Sequence, residues 1–211
     1  KNKKERIIKA IECLAGSIRL CMSVQSMDDD VLKNIRRSNI SVEEMMGLAP
    51  AIKNSGLDTT SEVILGLPGE TFETHLQSLR ALLNANMDHI LVYSCMVLIG
   101  SQMDTPEERK KWGLKTKFRI LVKDFAKLSN GRKAIEIEEV VIGSNTMTFE
   151  DYLNLRSIDF AIYASNTIPI FKPLLKFLRE HKIDLTELFH RSIKQAINNT
   201  SIDKTFKKFR Q

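Results

Sequence analysis

Glu62-Val63-Ile64-Leu65-Gly66-Leu67-Pro68-Gly69-Glu70-Thr71 runs a short aliphatic segment straight into a glycine–proline turn. Aliphatic and β-branched residues in such a run favour a buried strand. Gly and Pro are the residues a tight turn demands. Residues 72–84 then read as a helix, so strand, turn and helix follow one another without a linker. Glu62 sets a carboxylate at the start of the strand, and a Gly-x-Pro-Gly turn lets backbone amides approach a ligand. A tight strand-to-helix turn that binds nothing accounts for the same residues.

The same unit recurs on both sides. Upstream, residues 3–14 place Ile7, Ile8, Ile11 and Leu14 on one stripe of an amphipathic helix. Residues 19–24 read as a buried strand, and an Asp of the Asp28-Asp29-Asp30 run caps a helix reaching Arg37. Ser41-Val42-Glu43-Glu44 is a capping box opening a helix that Gly56 ends. Downstream, residues 90–97 form another apolar strand, and Thr105-Pro106-Glu107-Glu108 is a strong helix start. Alternation of this kind implies parallel strands joined by crossovers, the α/β class. Three strands cannot close a barrel.

Beyond residue 113 the pattern changes. Residues 115–128 read as a helix and 135–142 as a strand whose Glu136, Glu138 and Glu139 form an exposed acidic face. From Thr148, a cap with Asp151 three residues on, the chain reads as wholly helical, broken near Pro169 and Pro173. The expected division is therefore residues 1–112, α/β, and 113–211, a mainly helical region with one strand.

Composition narrows the function classes. The net charge of +6 resides in the two ends: residues 1–9 carry +4 and 203–211 carry +3, leaving the rest near neutral. Basic ends of this kind are solvated tails, so a nucleic-acid partner is not expected. No apolar stretch spans a bilayer and no signal-peptide pattern is present, so a cytoplasmic location is expected. Cys13, Cys21 and Cys95 have neither CxxC spacing nor an even count, and read as small buried hydrophobes. His75, His89, His181 and His190 are scattered, the last two in a solvated tail, and show no metal-ligand spacing.

A second constellation lies in Ser23-Val24-Gln25-Ser26-Met27-Asp28, with Arg37 twelve residues after Gln25. A strand here delivers Gln25 and Ser26 to its C-terminal end, where parallel α/β architectures bind ligands. The planar fork of Arg37 suits a carboxylate. A strand-end Gln with a helix-terminal Arg placed by the macrodipole is the plainer alternative.

Taken together, in this order and separation, the two stretches resemble the radical S-adenosylmethionine (SAM) superfamily. They are similar to the fourth and fifth strand–helix units of its incomplete (β/α)6 barrel. Val92-Tyr93-Ser94-Cys95-Met96-Val97-Leu98-Ile99-Gly100-Ser101 looks like the sixth strand, with Ile99 where many members have proline. The resemblance covers roughly residues 17–105; within the superfamily, Gly113-Leu114-Lys115-Thr116-Lys117-Phe118-Arg119 and the acidic strand resemble the group with an N-terminal cobalamin-binding domain. It implies a partial barrel of strands four to six followed by the helical region. Gln25 and Ser26 would lie beside SAM, Arg37 would hold its carboxylate, and Glu62 would sit near its ribose or the substrate. Gly66 and its turn would close the pocket. It also implies SAM and a [4Fe–4S] cluster in a parent enzyme of oxidoreductase or methyltransferase type, with cobalamin as a further cofactor.

The departure from the family is large. The family's CxxxCxxC cluster motif and strand-two glycine motif are absent, so the chain is expected to be the C-terminal portion of its parent and inactive alone. Its partners would be the upstream half of the same barrel and a small-molecule substrate, with dimerisation through a bare strand edge otherwise. The rival reading is a non-catalytic half-barrel scaffold that binds a partner.

Overall fold

In the computed structural model, residues 20–38, 58–196 and 200–210 are described continuously, with isolated positions at 6, 9, 10, 13, 44, 47, 52 and 54. The expected helix over 3–14 and the capping box at Ser41 therefore lie outside the described residues, save for those isolated positions.

Three strands, β1 (Leu20–Gln25), β2 (Thr59–Leu65) and β3 (His89–Ser94), form one sheet in the order β1-β2-β3. Both pairings are parallel, with Ser23 opposite Glu62 and Glu62 opposite Leu91. Glu62 thus sits mid-strand rather than at the strand start, because β2 begins at Thr59. Alternation then sorts the side chains. Met22, Val24, Val63, Leu65 and Ile90 point to the covered side and are buried. Cys21, Ser23, Gln25, Glu62, Ile64, Leu91 and Tyr93 share the opposite side, and none of them is fully buried. Among the described residues, these three strands leave the sheet open.

Helices α1 (Asp29–Asn34) and α2 (Phe72–Asn84) follow β1 and β2 directly. Asp28 caps α1 by accepting from the Val31 amide at 2.9 Å, and Thr71 forms a capping box with Thr74 on α2. After β3, α3 (Pro106–Trp112) starts on the Thr105 cap and stops at Gly113, whose φ of 58° closes the left-handed C-terminus.

Residues 115–128 are not helical. They form β4 (Lys115–Lys127), which pairs antiparallel with β5 (Lys133–Gly143) in a long hairpin. Lys, Arg and Leu suit a helix, but the mixture of Thr116, Phe118 and Ile120 at alternate positions suits a strand once a partner is present. The region after 113 therefore holds two strands, not one. At its base, the hairpin joins the sheet: the Val97 amide donates to Glu139 O and the Val141 amide to Cys95 O, both at 2.9 Å. The acidic face is likewise not simply exposed. Glu139 accepts both guanidinium nitrogens of Arg109 at 2.7 Å, Glu138 pairs with Arg119, and Glu136 alone is exposed.

The rest is helical as expected: α4 (Phe149–Ile162), a π-helical turn (Tyr163–Thr167), α5 (Lys172–Glu180), α6 (Leu185–Ala196) and α7 (Thr200–Arg210). Val63, Leu79, Leu82, Ile90, Ile158, Ile162, Leu175 and Ile193 form one core under the sheet. Residues on both sides of position 113 thus share it. No described helix is long and apolar enough to cross a membrane.

Candidate functional site

A cleft of about 580 Å³ opens where the C-terminal ends of β1, β2 and β3 meet, lined by Gln25, Arg37, Ile64, Leu67, Tyr93 and Met96 among others. Topology explains its position: parallel strands all present their C-terminal ends on one side. Gln25 reaches it through an unusual backbone. The pairing of β1 with β2 slips between Ser23 and Gln25, and Gln25 takes a φ of 60°. A non-glycine residue held in the left-handed region carries a local cost and is found preferentially at functional sites. Arg37 arrives from the far end of α1, its Nη2 donating to the Ser23 carbonyl at 2.6 Å.

Glu62 lies one residue pair deeper on the open face. Its carboxylate accepts from the Ser23 hydroxyl, and Tyr93 lies near enough to feel its charge. Partial burial first, and then this neighbouring charge, push the Cys21 thiol and the Tyr93 phenol above their ordinary values. The open face is thus polar and anionic at its centre, with Gln25 and Arg37 at its rim.

Ser26 and Gly66 are placed differently. Ser26 is fully shielded, and its hydroxyl accepts from the Asp28 amide at 3.2 Å, organising the turn into α1. Gly66, with a φ of 93°, lies against the hairpin: an added Cβ would meet Val141 O at 3.4 Å. The expectation that the turn's amides face a ligand does not hold for its first two. Glu70 folds back on the turn, and its Oε2 accepts from the Gly66 amide at 2.6 Å and from the Leu67 amide at 3.3 Å. A carboxylate of the chain itself satisfies those donors.

The other oxygen of Glu70 belongs to a cluster that the sequence reading missed. His75 Nδ1 sits 2.9 Å from Glu70 Oε1, and its Nε2 sits 3.2 Å from Asp159 Oδ1. Glu70 and His75 are wholly buried and Asp159 nearly so. Burial alone would lower the His75 pKa, but the two carboxylates outweigh it and raise it to about 10. The ring is therefore an imidazolium at neutral pH, joining the turn after β2 to α4. A Glu five residues before a His gives no recognisable spacing, and Asp159 is 84 residues away.

Tyr93 is 51% exposed on the open face, whereas Trp112 is half-buried and donates to Glu108. His181 is exposed, but His190 is half-buried and in ring contact with Phe72, not solvated. Cys95 is buried, its thiol pushed up to about 12 by burial and by Glu70, while Cys13 and Cys21 are exposed rather than buried. Among the described residues, no three His, Cys, Asp or Glu side chains converge to hold a metal ion.

No family model matches the chain. It is 35% identical over 96 residues to the cobalamin-dependent radical SAM methyltransferase TokK of Streptomyces tokunonensis, covering 45% of this chain and 14% of that protein. It is 28% identical over 173 residues to the 2-(S-pantetheinyl)-carbapenam-3-carboxylate methyltransferase of Streptantibioticus cattleyicolor, covering 81% of this chain and 25% of that one. The chain thus spans a quarter or less of the length of these relatives. Among solved structures, Methanocaldococcus infernus Elp3 with an N-terminal deletion aligns at a TM-score of 0.39 and 26% identity, over 51% of this chain and 25% of that one. So loose an overlay leaves the fold to be argued from the strands themselves. In sequence, then, a little under half of the chain is similar to part of a radical SAM methyltransferase.

Proposed function

We propose that the chain is the C-terminal portion of a cobalamin-dependent radical SAM methyltransferase and forms one wall of its SAM site. In this reading β1, β2 and β3 are barrel strands four to six, and the open face is the lumen. The observation that carries it is the joint placement of Gln25 and Arg37 at the C-terminal rim of that face, the first through a bulge and a left-handed backbone.

The residues present fit SAM in part. Arg37 supplies a fork for a carboxylate, Gln25 a donor and an acceptor, and Glu62 an acceptor for hydroxyls. Ser26 acts from behind, by fixing the turn into α1, and Gly66 by letting the hairpin close against the cleft. The described residues do not fit an iron–sulfur cluster, whose ligands would come from the upstream half of the barrel. Radical chemistry started by reduction of SAM belongs to the cofactors. What these residues do is bind, orient and exclude water. The outer edge of β1 pairs with no other described strand, and the upstream barrel strand or a second copy of the chain would cover it. Location in the cytoplasm and a small-molecule substrate accord with this reading.

Arg37→Ala in the longer parent chain is expected to weaken S-adenosylhomocysteine binding about 10- to 100-fold, the range for losing a charged bidentate partner. The 211-residue chain, reconstituted anaerobically, is expected to take up no iron and cleave no SAM. Isothermal titration and iron analysis check both. An Arg37→Ala variant with unchanged affinity removes the site assignment, and a cluster on the 211-residue chain removes the division of labour. A parent lacking cluster cysteines upstream leaves the scaffold reading in its place.

A further inference from the structure

Beside the cleft at the strand ends lies a second one of about 340 Å³, and the two share Tyr93 and Ser94. It wraps the edge of β3 between the hairpin and the helices, and is walled by Tyr93, Arg119, Arg156, Phe160, Tyr163 and Phe209. Three of these come from consecutive turns at the end of α4. Arg156, Phe160 and Tyr163 stand at i, i+4 and i+7, one helical face, while Leu155, Ile158 and Ile162 on the other face enter the core. At Tyr163 the helix widens into a π turn, a feature concentrated at functional sites.

The charges in this wall are unevenly satisfied. Arg119 is paired with Glu138 across the hairpin. Asp159 also reaches the cleft, but its Oδ1 is taken by the His75 imidazolium. Arg156 is half-buried and makes no ion pair with any described carboxylate. Its guanidinium lies 5.2 Å over the Phe209 ring and reaches Ser94 Oγ at 3.4 Å, a long contact to a hydroxyl that already meets Tyr152 at 3.0 Å. A half-buried guanidinium over an aromatic ring, lining a cavity and held in no ion pair, is an arrangement that recognises a planar or tetrahedral anion.

We infer that this cleft is an anion-recognition site, in which Arg156 takes the carboxylate or phosphate of a small molecule whose apolar body packs on Tyr93, Phe160 and Tyr163. Calling that molecule the substrate rests on the function proposed above; the binding itself does not. Tyr93 would then be the shared wall between the two ligands, one on each side.

Ligand-observed NMR on the 211-residue chain tests this with three probes: hippurate, its neutral amide hippuramide, and phenyl phosphate. One of the two anions is expected to bind at least about tenfold more tightly than the amide, which has the same body without the charge. Which of them is favoured identifies a carboxylate or a phosphate ester as the source. Arg156→Gln is expected to abolish the preference, and Arg156→Lys to retain only part of it. Equal binding of anions and amide by the unaltered chain, or no binding up to about 10 mM, overturns the site whether or not a variant folds. So does a preference unchanged in Arg156→Gln. A second titration separates this from the SAM reading. If the parent chain fails to bind S-adenosylhomocysteine while the anion preference persists, the substrate label falls and the anion site stands.

Discussion

Replacing His75 with alanine is expected to destabilise the fold by about 3–5 kcal/mol, the cost of leaving buried charge without its partner. The imidazolium stands between Glu70 Oε1 at 2.9 Å and Asp159 Oδ1 at 3.2 Å, in surroundings that exclude water. Without it, two carboxylates face each other across a cavity. Glu70 also holds the Gly66 and Leu67 amides, so its repulsion from Asp159 would be transmitted to the turn that lines the cleft. The pH dependence separates this account from simple cavity formation. Because the folded pKa of about 10 exceeds the unfolded value near 6.5, the contribution of His75 is fully present below pH 6.5. It is lost as pH rises from there through about 10. Urea denaturation of both proteins across that window is expected to show the gap between wild type and His75→Ala narrowing as pH rises. A gap that stays constant would mean that the ring contributes volume and not charge.

Leu155→Ala is the second large effect, about 2–5 kcal/mol for a fully buried leucine. Leu155 lies in one cluster with Leu65 of β2, Met147 and Tyr152, so its side chain ties α4 to the parallel sheet. Because the two share a core, the loss is expected to appear as an equal shift in every probe. Far-UV circular dichroism follows the helices, and the fluorescence of Trp112, the only tryptophan, follows the region between sheet and hairpin. Coincident transitions in wild type and variant are the expected result. Helical signal lost ahead of tryptophan fluorescence in the variant would show instead that the C-terminal helices form a separate unit.

Several elements were legible because their causes are local. Thr105-Pro106 and Thr148…Asp151 predict helix starts, and both threonines cap the helices they precede. The Gly66–Gly69 turn predicts itself, since both glycines take φ values that other residues resist. Residues 115–128 read as a helix but form a strand, because strand formation there depends on a partner. Ile120 faces Ile137 and Phe125 faces Ile135 across the hairpin, and the apolar side chains of that face remain exposed, as Phe118 at 67% does. Helix propensity in Lys, Arg and Leu is a weak preference that cross-strand pairing overrides.

By itself, then, the sequence determined the alternation of strands and helices through the first half of the chain and the turn after β2. Each of these depends on neighbours a few residues away. Only the tertiary structure decided that His75 is charged and that Arg156 lines a cavity without an ion pair. Those properties come from Asp159, Phe209 and Ser94, brought from 84, 53 and 62 residues away. A side chain's charge state and availability are set by what folding packs around it.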